Sequence, residues 1–302
     1  MSTRELIVLG TAGAVPTRRR NHNGYLLRWG GQGILFDPGE GTQRQMAHAG
    51  ASATELRWVC VTHFHGDHAL GVPGIVQRLG RDGVPHDVHA VFPAEGAAYW
   101  ERLKFATSYY GSPTLVEHPV GGPGETLQGD GFTLTALPLD HSIPTYGYRI
   151  AEPDGRTYLP ERLRAHGISG AAVRELSGAL LEECTVPRPG QKVAFVMDTR
   201  LCDNVFALAD GVDMLIIEST FLDSETDQAT ERGHLTARQA GEVARACGVR
   251  TLVLTHFSER YAEADDPLFL EQADFPGAVL AHDLDRVPLP PRRVAHRNDR
   301  SR

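Results

Sequence analysis

The chain has 302 residues, 41% of them hydrophobic, and a formal net charge of −8 at pH 7. This length corresponds to one large domain or two ordinary ones, and the hydrophobic content is ample for a large core. No stretch approaches the roughly 20 apolar residues of a membrane span, and the apolar segment before Gly10 is too short for a secretory signal, so we predict a cytoplasmic protein without a membrane partner.

Short apolar segments alternate with amphipathic segments along the first third of the chain. Segments rich in β-branched and aromatic residues predict strands, and apolar residues at helical spacing predict helices. The predicted strands are 6–9, 25–29, 34–36, 58–62 and 88–92, and the predicted helices are 42–49 and 69–79.

The second half of the chain continues the mixture of strands and helices. Its clearest strands are 132–139, 193–197 and 251–255, and an amphipathic helix is predicted at 236–247 with Thr236 as its cap. Because both halves mix the two kinds of element, we predict an α/β fold in which two sheets pack face to face with helices outside.

Residues 63–68 read His-Phe-His-Gly-Asp-His and lie between a predicted strand and a predicted helix. The carboxyl ends of strands are where α/β proteins bind ligands. His63 and His65 can bind one metal ion as an i, i+2 pair, while Asp67 and His68 turn toward a second ion. A histidine-rich turn without metal would leave several polar groups crowded and poorly paired. The motif therefore predicts a metal site.

Three later strands end in residues that could complete this site. The first delivers Asp140 and His141, the second delivers Asp198, and the third delivers His256. A single His or Asp after a strand is usually a turn residue. Together with the motif at 63–68, however, four strands end in such residues, which favours a shared site that a single sheet could present at one edge. Because these ligands must converge, we predict that residues 1–287 form one domain.

The two motifs at 62–68 and 255–261 resemble those of the metallo-β-lactamase superfamily and, within it, the ribonuclease Z family of tRNA 3′-processing endonucleases. The likeness runs from residue 6 to about residue 287. It implies the αββα sandwich of that superfamily. Three further segments are similar to family features, namely the basic loop at 16–21, the strand-to-helix turn at 36–43 and the Gly-His-Leu-Thr motif at 233–236.

The resemblance implies a binuclear metal site. One ion would be held by His63, His65 and His141, the other by Asp67, His68 and His256, and Asp198 would bridge them. Histidine and carboxylate ligands suit two Zn²⁺ ions per subunit, and Mn²⁺ or Fe²⁺ would suit the same ligand types. Asp67 would orient or deprotonate the attacking water. His234 would protonate the departing 3′ oxygen, its alternative role being a helix cap or a core histidine. Asp37 and Glu218 are expected to support the ligands.

Several polar side chains are candidate substrate contacts. Ser258 and Arg260, just past the last ligand, could hold the scissile phosphate through charge-assisted hydrogen bonds. Arg18, Arg19 and Arg20 match the basic loop of the family, which would sense nucleotides beyond the cleavage point, and a solvated surface loop is the alternative. Such clusters matter because the net negative charge opposes phosphate binding.

Residues 155–189 read as an insertion between ligand-bearing strands. The ribonuclease Z family carries an arm here that grips tRNA, and the resemblance implies a homodimer in which the arm of one subunit clamps precursor tRNA onto the active site of the other. In this chain the segment is short, contains no lysine and includes Glu182 and Glu183. The proline- and arginine-rich residues 288–302 are predicted to be a disordered basic tail.

The implied function is endonucleolytic removal of the 3′ trailer from precursor tRNA, which leaves a 3′-hydroxyl on the tRNA and a 5′-phosphate on the trailer. The reduced arm supports one alternative, a small-molecule phosphodiesterase, arylsulfatase-like enzyme or thioesterase of the same fold. A second alternative, a non-catalytic RNA-binding relative, is disfavoured by the complete ligand set.

Overall fold

A computed structural model describes residues 4–108, 111 and 113–293. Its strands are β1 (Glu5–Gly10), β2 (Gly24–Trp29), β3 (Gln32–Phe36), β4 (Leu56–Cys60), β5 (Val88–Pro93), β6 (Leu115–Val120), β7 (Glu125–Gly129), β8 (Phe132–Pro138), β9 (Tyr146–Ala151), β10 (Gly155–Tyr158), β11 (Thr185–Arg188), β12 (Lys192–Val196), β13 (Met214–Glu218), β14 (Thr251–Thr255), β15 (Val279–Leu280) and β16 (Arg286–Pro288).

The α-helices are α1 (Thr42–His48), α2 (Gly66–Ala69), α3 (Val72–Arg81), α4 (Ala97–Lys104), α5 (Pro160–Ala165), α6 (Gly178–Cys184), α7 (Asp203–Ala209), α8 (Thr226–Arg232), α9 (Ala237–Ala246) and α10 (Asp266–Ala273). Short 3₁₀ turns lie at Ala53–Glu55, Ala94–Gly96, Gly170–Glu175, Asp223–Glu225 and Glu263–Asp265. Within the described ranges, no helix combines the length and the apolarity that a membrane crossing requires.

Two seven-stranded sheets pack face to face with helices on their outer sides, as predicted. The first has the order β16-β1-β2-β3-β4-β5-β6 and the second β15-β14-β13-β12-β9-β8-β7. The alternation along β1 shows how the sequence builds the layers, since successive side chains of a strand point to opposite faces. Leu6 and Val8 enter the core between the sheets, whereas Ile7 and Leu9 pack with the outer helices. Phe36 and Phe195 stack across the core with ring centres 4.6 Å apart.

The helix predicted at 69–79 forms as α3 from Val72 onward, but its predicted start is wrong, because the chain breaks at Leu70 and Gly71 between α2 and α3. The backbone N–H of Gly71 donates to the carbonyl of Pro38 at 2.8 Å. A Cβ atom at position 71 would lie 2.1 Å from the carbonyl oxygen of Gly39. This close approach fixes the metal motif against the turn after β3. By contrast, the helix predicted at 236–247 forms, and Thr236 caps it.

The carboxyl ends of parallel strands from both sheets meet at one edge of the sandwich. Strands β3, β4 and β5 run parallel in the first sheet, and β12, β13 and β14 run parallel in the second. The expectation that a single sheet presents the candidate ligands is therefore wrong. The sandwich places the 63–68 motif, which follows β4, opposite Asp198 and His256, which follow β12 and β14.

The predicted insertion corresponds to a small unit apart from the two sheets. Strands β10 and β11 pair antiparallel as a separate ribbon, and α5 and α6 connect them. The two strands form the two ends of the insertion. Most of its side chains are exposed, and Cys184 and Thr185 are among the few that are buried. We call residues 155–188 the arm.

The predicted disorder from residue 288 onward is wrong for residues 288–293. Pro288 belongs to β16, Leu289 is 8% exposed against the inter-sheet core, and Arg292 forms an ion pair with Glu152. Apolar contact and charge pairing thus fix the start of the tail to the sandwich. The remainder of the tail, 294–302, lies outside the described residues.

Candidate metal centre

The structure brings all seven candidate ligands together in two groups. Within each group the ligand atoms lie within 4.8 Å of one another, and the groups are His63, His65, His141 with Asp198, and Asp67, His68 with His256. This division is the one that the resemblance implied. A third combination joins His234 to Asp198 and His256.

Asp198 faces both groups with different carboxylate oxygens. Its Oδ2 lies 3.5 Å from Nε2 of His63 and 3.7 Å from Nε2 of His141. Its Oδ1 lies 3.3 Å from Nε2 of His68 and 3.1 Å from Nε2 of His256. One carboxylate oxygen of Asp198 thus faces each group of ligands.

The outward-facing ring nitrogens of four histidines are held by neighbouring oxygens. These contacts join Nδ1 of His63 to Thr62 Oγ1 (3.0 Å), His68 to Asp37 Oδ2 (2.8 Å), His141 to the Gly233 carbonyl (2.9 Å) and His256 to Thr220 Oγ1 (2.7 Å). A proton on each Nδ1 would leave Nε2 free to bind a cation at the centre. His65 is turned the other way, with Nδ1 lying 3.0 Å from Nε2 of His63.

For two of these histidines, the threonine that faces Nδ1 also donates a hydrogen bond to a buried carboxylate, and the sequence analysis did not predict either contact. The Thr62 hydroxyl donates to Asp37 Oδ2 at 2.8 Å while it faces His63. The Thr220 hydroxyl donates to Glu218 Oε2 at 2.5 Å while it faces His256. Only the second pair left a local signal in the sequence, because Thr220 follows Glu218 by two positions, whereas Asp37 and Thr62 are 25 positions apart.

Backbone strain is concentrated at the same place. Among the described residues, five that are not glycine have positive φ, and three of them are Asp37 (42°), Asp198 (42°) and His256 (62°). Asp37 and His256 directly follow buried strands, and Asp198 follows β12 after one intervening residue, Met197. Side chains other than glycine rarely adopt this conformation, which is maintained where the surrounding structure requires it. Here it turns strand-end side chains into the cluster.

The charges of the cluster favour a cation. Burial and the neighbouring His68 hold the pKa of His63 well below its usual range. Burial would raise the pKa of Asp198, but His256, His68 and His63 outweigh it and hold that pKa well below its usual range. For Asp67, burial is likewise outweighed by His68 and His256, so its pKa is lowered. The cluster thus offers ionised carboxylates and neutral imidazole.

His68 differs, because three acidic groups act on it. Burial would lower its pKa, but Asp198, Asp67 and Asp37 together raise it well above the usual value. The proton on His68 compensates the negative charge of these carboxylates, which a bound cation would also do. Binding of a metal ion would displace that proton, as is usual when ligands must be deprotonated.

Two buried atoms test whether a metal fits. Asp198 Oδ1 and His256 Nε2 are 3.1 Å apart, yet within the part of the chain that the structure describes neither has a hydrogen-bond partner in suitable geometry. Buried polar atoms without partners are costly. A cation between them would satisfy both, so the residues present fit a metal centre.

His234 lies at the rim of the cluster against a buried carboxylate. Its Nδ1 is 3.1 Å from Oε2 of Glu218. Burial would lower its pKa, but Glu218 and Asp198 raise it to about 9. In the absence of bound cations, the charges around this histidine, which was predicted as a general acid, therefore favour its protonated form. Glu218 contacts His234 directly and His256 through Thr220. Asp37 contacts His68 directly and His63 through Thr62. Both carboxylates thus support the histidines, as expected.

A cavity of about 390 Å³ opens over the cluster. Ser258, predicted as a phosphate contact, lines it and is 8% exposed. Arg260 is directed elsewhere, since it pairs with Glu225 and lies over the ring of Phe221 at 4.9 Å. Arg232 lines the cavity and was missed, because its only sequence signal is that it precedes the motif at 233–236.

The three arginines of the basic loop differ in accessibility. The prediction that Arg20 contacts substrate is wrong, because its side chain is 6% exposed and is bound to Asp266 and Thr11. Arg19 lies 3.6 Å from Asp266, and Arg18 is exposed. Within the described ranges, the lining of the metal-centre cavity includes none of the three.

Comparison with known proteins agrees with the fold and the cluster. A family profile described as the metallo-beta-lactamase superfamily matches residues 17–156, and a beta-lactamase superfamily domain profile matches residues 165–257. The solved structure of human tRNase Z, short form, superposes with a TM-score of 0.72 at 24% identity, covering 95% of this chain and 99% of that one. The sandwich and its histidine–aspartate edge thus define a protein of the metallo-β-lactamase class.

The sequence relatives are more specific. Ribonuclease Z of Thermobifida fusca is 56% identical over 97% of this chain and 97% of its own length, and ribonuclease Z of Streptomyces coelicolor is 55% identical over 97% of this chain and 100% of its own. The chain belongs to the ribonuclease Z family.

Proposed function

We propose that the protein is a cytoplasmic, metal-dependent endoribonuclease that removes the 3′ trailer from precursor tRNA. Cleavage leaves a 3′-hydroxyl on the tRNA and a 5′-phosphate on the trailer. The observation that carries this proposal is the complete two-group ligand cluster, joined by Asp198, in a chain that is 56% identical to a ribonuclease Z along nearly its whole length.

We propose two Zn²⁺ ions per subunit, held as the two groups suggest and bridged by Asp198. Imidazole and carboxylate ligands are typical of zinc, and Mn²⁺ or Fe²⁺ would fit the same donors. When bound, the ions would activate a water molecule and neutralise charge that develops on the oxygens of the phosphodiester.

Side chains of the protein would position the water, protonate the leaving group and contact the phosphate. Asp67 Oδ2 lies 3.2 Å from Nε2 of His68 and 3.5 Å from Nε2 of His256, so its ionised carboxylate is fixed where it can orient the water or accept its proton. His234, protonated against Glu218, donates a proton to the departing 3′ oxygen. Ser258 and Arg232 line the cavity over the cluster, and we propose that they contact the phosphate.

Mapping of the product ends tests the activity most directly. Incubation with an unmodified precursor tRNA should give one tRNA product that carries a 3′-hydroxyl and a trailer that carries a 5′-phosphate. A trailer with a 5′-hydroxyl would contradict the proposed direction of bond cleavage.

A small-molecule phosphodiesterase, or an arylsulfatase-like enzyme, is the second candidate. Within the arm, Glu182 pairs with Arg156 and Glu183 lies 4.0 Å from Arg162, so part of its basic charge is already neutralised. This observation favours weak RNA binding by the arm. Efficient hydrolysis of bis-p-nitrophenyl phosphate together with no cleavage of precursor tRNA would support this candidate over ours.

We also propose a homodimer in which the arm of each subunit holds tRNA at the active site of the other. The structure suggests a deletion that keeps the ribbon intact, because Tyr158 and Thr185 are directly paired across β10 and β11. Replacement of residues 159–184 by Asn-Gly would close this pair as a two-residue hairpin.

The arm deletion should reduce kcat/KM for precursor tRNA by about 10²-fold or more, because a second contact surface is lost. Hydrolysis of bis-p-nitrophenyl phosphate should stay near normal, since the ligands lie outside the deletion. The salt dependence should change little, in contrast to a surface with 6–10 phosphate contacts, which loses about 10³–10⁵ in affinity between about 50 and 200 mM salt.

Mixed dimers provide the control for the trans arrangement. An arm-deleted subunit paired with an Asp198→Ala subunit should recover tRNA cleavage, because the intact arm of one then serves the intact site of the other. Inactive mixed dimers would contradict the trans arrangement, and equal loss of both activities in the arm-deleted protein would show that the arm is structural.

A further inference from the structure

A second cavity, of about 340 Å³, opens beside the metal centre on the side of His65. His65 borders both cavities. The remaining wall is mostly apolar and aromatic, and includes Phe64, Tyr99, Ile143 and Pro144. We call it the Phe64–Tyr99 pocket. A substrate whose phosphate lies at the metal centre can therefore reach this pocket with the group directly attached to that phosphate.

The aromatic wall is rigidly built. The ring of Phe64 lies so close to Gly96 that a Cβ atom there would be 2.1 Å from it. Phe92 supports the same ring edge to face, with ring centres 6.2 Å apart. Tyr99 stacks on Phe64 at 5.9 Å and an interplanar angle of 30°, while 53% of its surface remains exposed. A large aromatic side chain exposed beside a catalytic centre is a typical surface for a flat ligand.

We propose that the Phe64–Tyr99 pocket binds the nucleobase of the first trailer nucleotide by stacking. This assignment rests on the proposed function. Single-stranded RNA is usually recognised by bases that stack on aromatic side chains, and the volume lies within the usual range of about 300–1,000 Å³ for small-ligand sites. Glu95 lines the pocket and is exposed. Its carboxylate repels phosphate, so the base enters and the backbone stays outside.

The position of His234 decides which nucleotide enters. The departing 3′ oxygen belongs to the last tRNA nucleotide, and His234 is the group that protonates it. The ring of His141 lies 5.3 Å from that of His234 and 5.2 Å from that of His65. Among the described residues that line the Phe64–Tyr99 pocket, His234 is absent. The pocket therefore lies on the other side of the phosphate, toward the trailer.

The test is a cycle between protein and substrate. Wild type and Tyr99→Ala are each given precursor tRNA with a normal or an abasic first trailer nucleotide. A stack of ordinary strength corresponds to about 5- to 150-fold in kcat/KM. For wild type, kcat/KM should be lower by this factor on the abasic substrate than on the normal one. For Tyr99→Ala, kcat/KM on the normal substrate should be lower than that of wild type by the same factor, and the abasic substrate should cause no further decrease. Tyr99→Phe, which keeps the ring, should behave as wild type.

A merely structural role for Tyr99 gives a different pattern. Tyr99→Ala would then be slower than wild type on the abasic substrate too, and that outcome would overturn the assignment. Sensitivity to an abasic site at the last tRNA nucleotide, but not at the first trailer nucleotide, would also overturn it. A wild-type protein that hydrolyses bis-p-nitrophenyl phosphate but cleaves no precursor would overturn the proposed function itself, and this assignment with it.

Discussion

Asp198→Ala should abolish turnover and remove both of the proposed metal ions together. The reason is geometric. One carboxylate oxygen faces His63 and His141, and the other faces His68 and His256, at 3.1–3.7 Å from their Nε2 atoms. Loss of this side chain would remove the ligand that the two proposed ions share and the negative charge that compensates them. Metal analysis of the purified variant, together with single-turnover cleavage, measures both effects.

Asp140→Ala is the matched control for this variant. Asp140 lies beside the ligand His141 in the chain, but its side chain is 53% exposed and pairs with Arg200 at 3.2 Å. This control should keep both ions and a near-normal rate. If Asp198→Ala itself retained two ions per subunit and a near-normal rate, the assignment of a bridging carboxylate would be wrong.

The layers of the fold were predictable because burial leaves a regular trace in the sequence. Strand β1 alternates between two apolar surfaces, and α9 carries an apolar face with a capping threonine. Both patterns follow from local geometry, so two packed sheets with outer helices could be predicted before any contact was known, and the family resemblance implied the αββα sandwich. The break between α2 and α3 could not, because it depends on the distant turn at Pro38 and Gly39.

The ligands could be located from the sequence, but the residues that hydrogen-bond to them could not. Histidine and aspartate after apolar strands are visible in one dimension, and the structure brings all seven together. The roles of Thr62 and Thr220 depend on which carboxylate each hydroxyl meets, which is a property of the assembled edge. Arg20 illustrates the opposite error. A run of arginines suggested a basic surface, but the partner Asp266 lies 246 positions away and buries this one.

The start of the tail shows the same dependence on distant contacts. Proline and arginine suggested disorder from residue 288, yet Leu289 packs into the inter-sheet core and Arg292 finds Glu152. Composition predicts how a segment behaves in isolation, whereas its contacts with the rest of the protein determine whether it is ordered.

His234→Ala should retain both metal ions and lose about 10²–10⁴-fold in kcat, as expected when a general acid is removed. His234 is fixed by Glu218, whose carboxylate keeps hydrogen bonds from the Thr199 backbone and from the Thr220 hydroxyl after the substitution. The fold of the site should therefore survive. Because His234 can also be grouped with Asp198 and His256, loss of an ion would mean that it is a ligand.

The pH dependence separates a proton donor from a structural histidine. The pKa of His234 is raised to about 9 without bound ions, and nearby cations would lower it from that value. The acid is active when protonated, so the wild-type rate should fall as pH rises through a pKa at or below about 9. His234→Ala should lack this decline. In Glu218→Gln the decline should move to lower pH, because the charge that raises the pKa is gone. An identical alkaline decline in wild type and His234→Ala would assign the proton donor to another group.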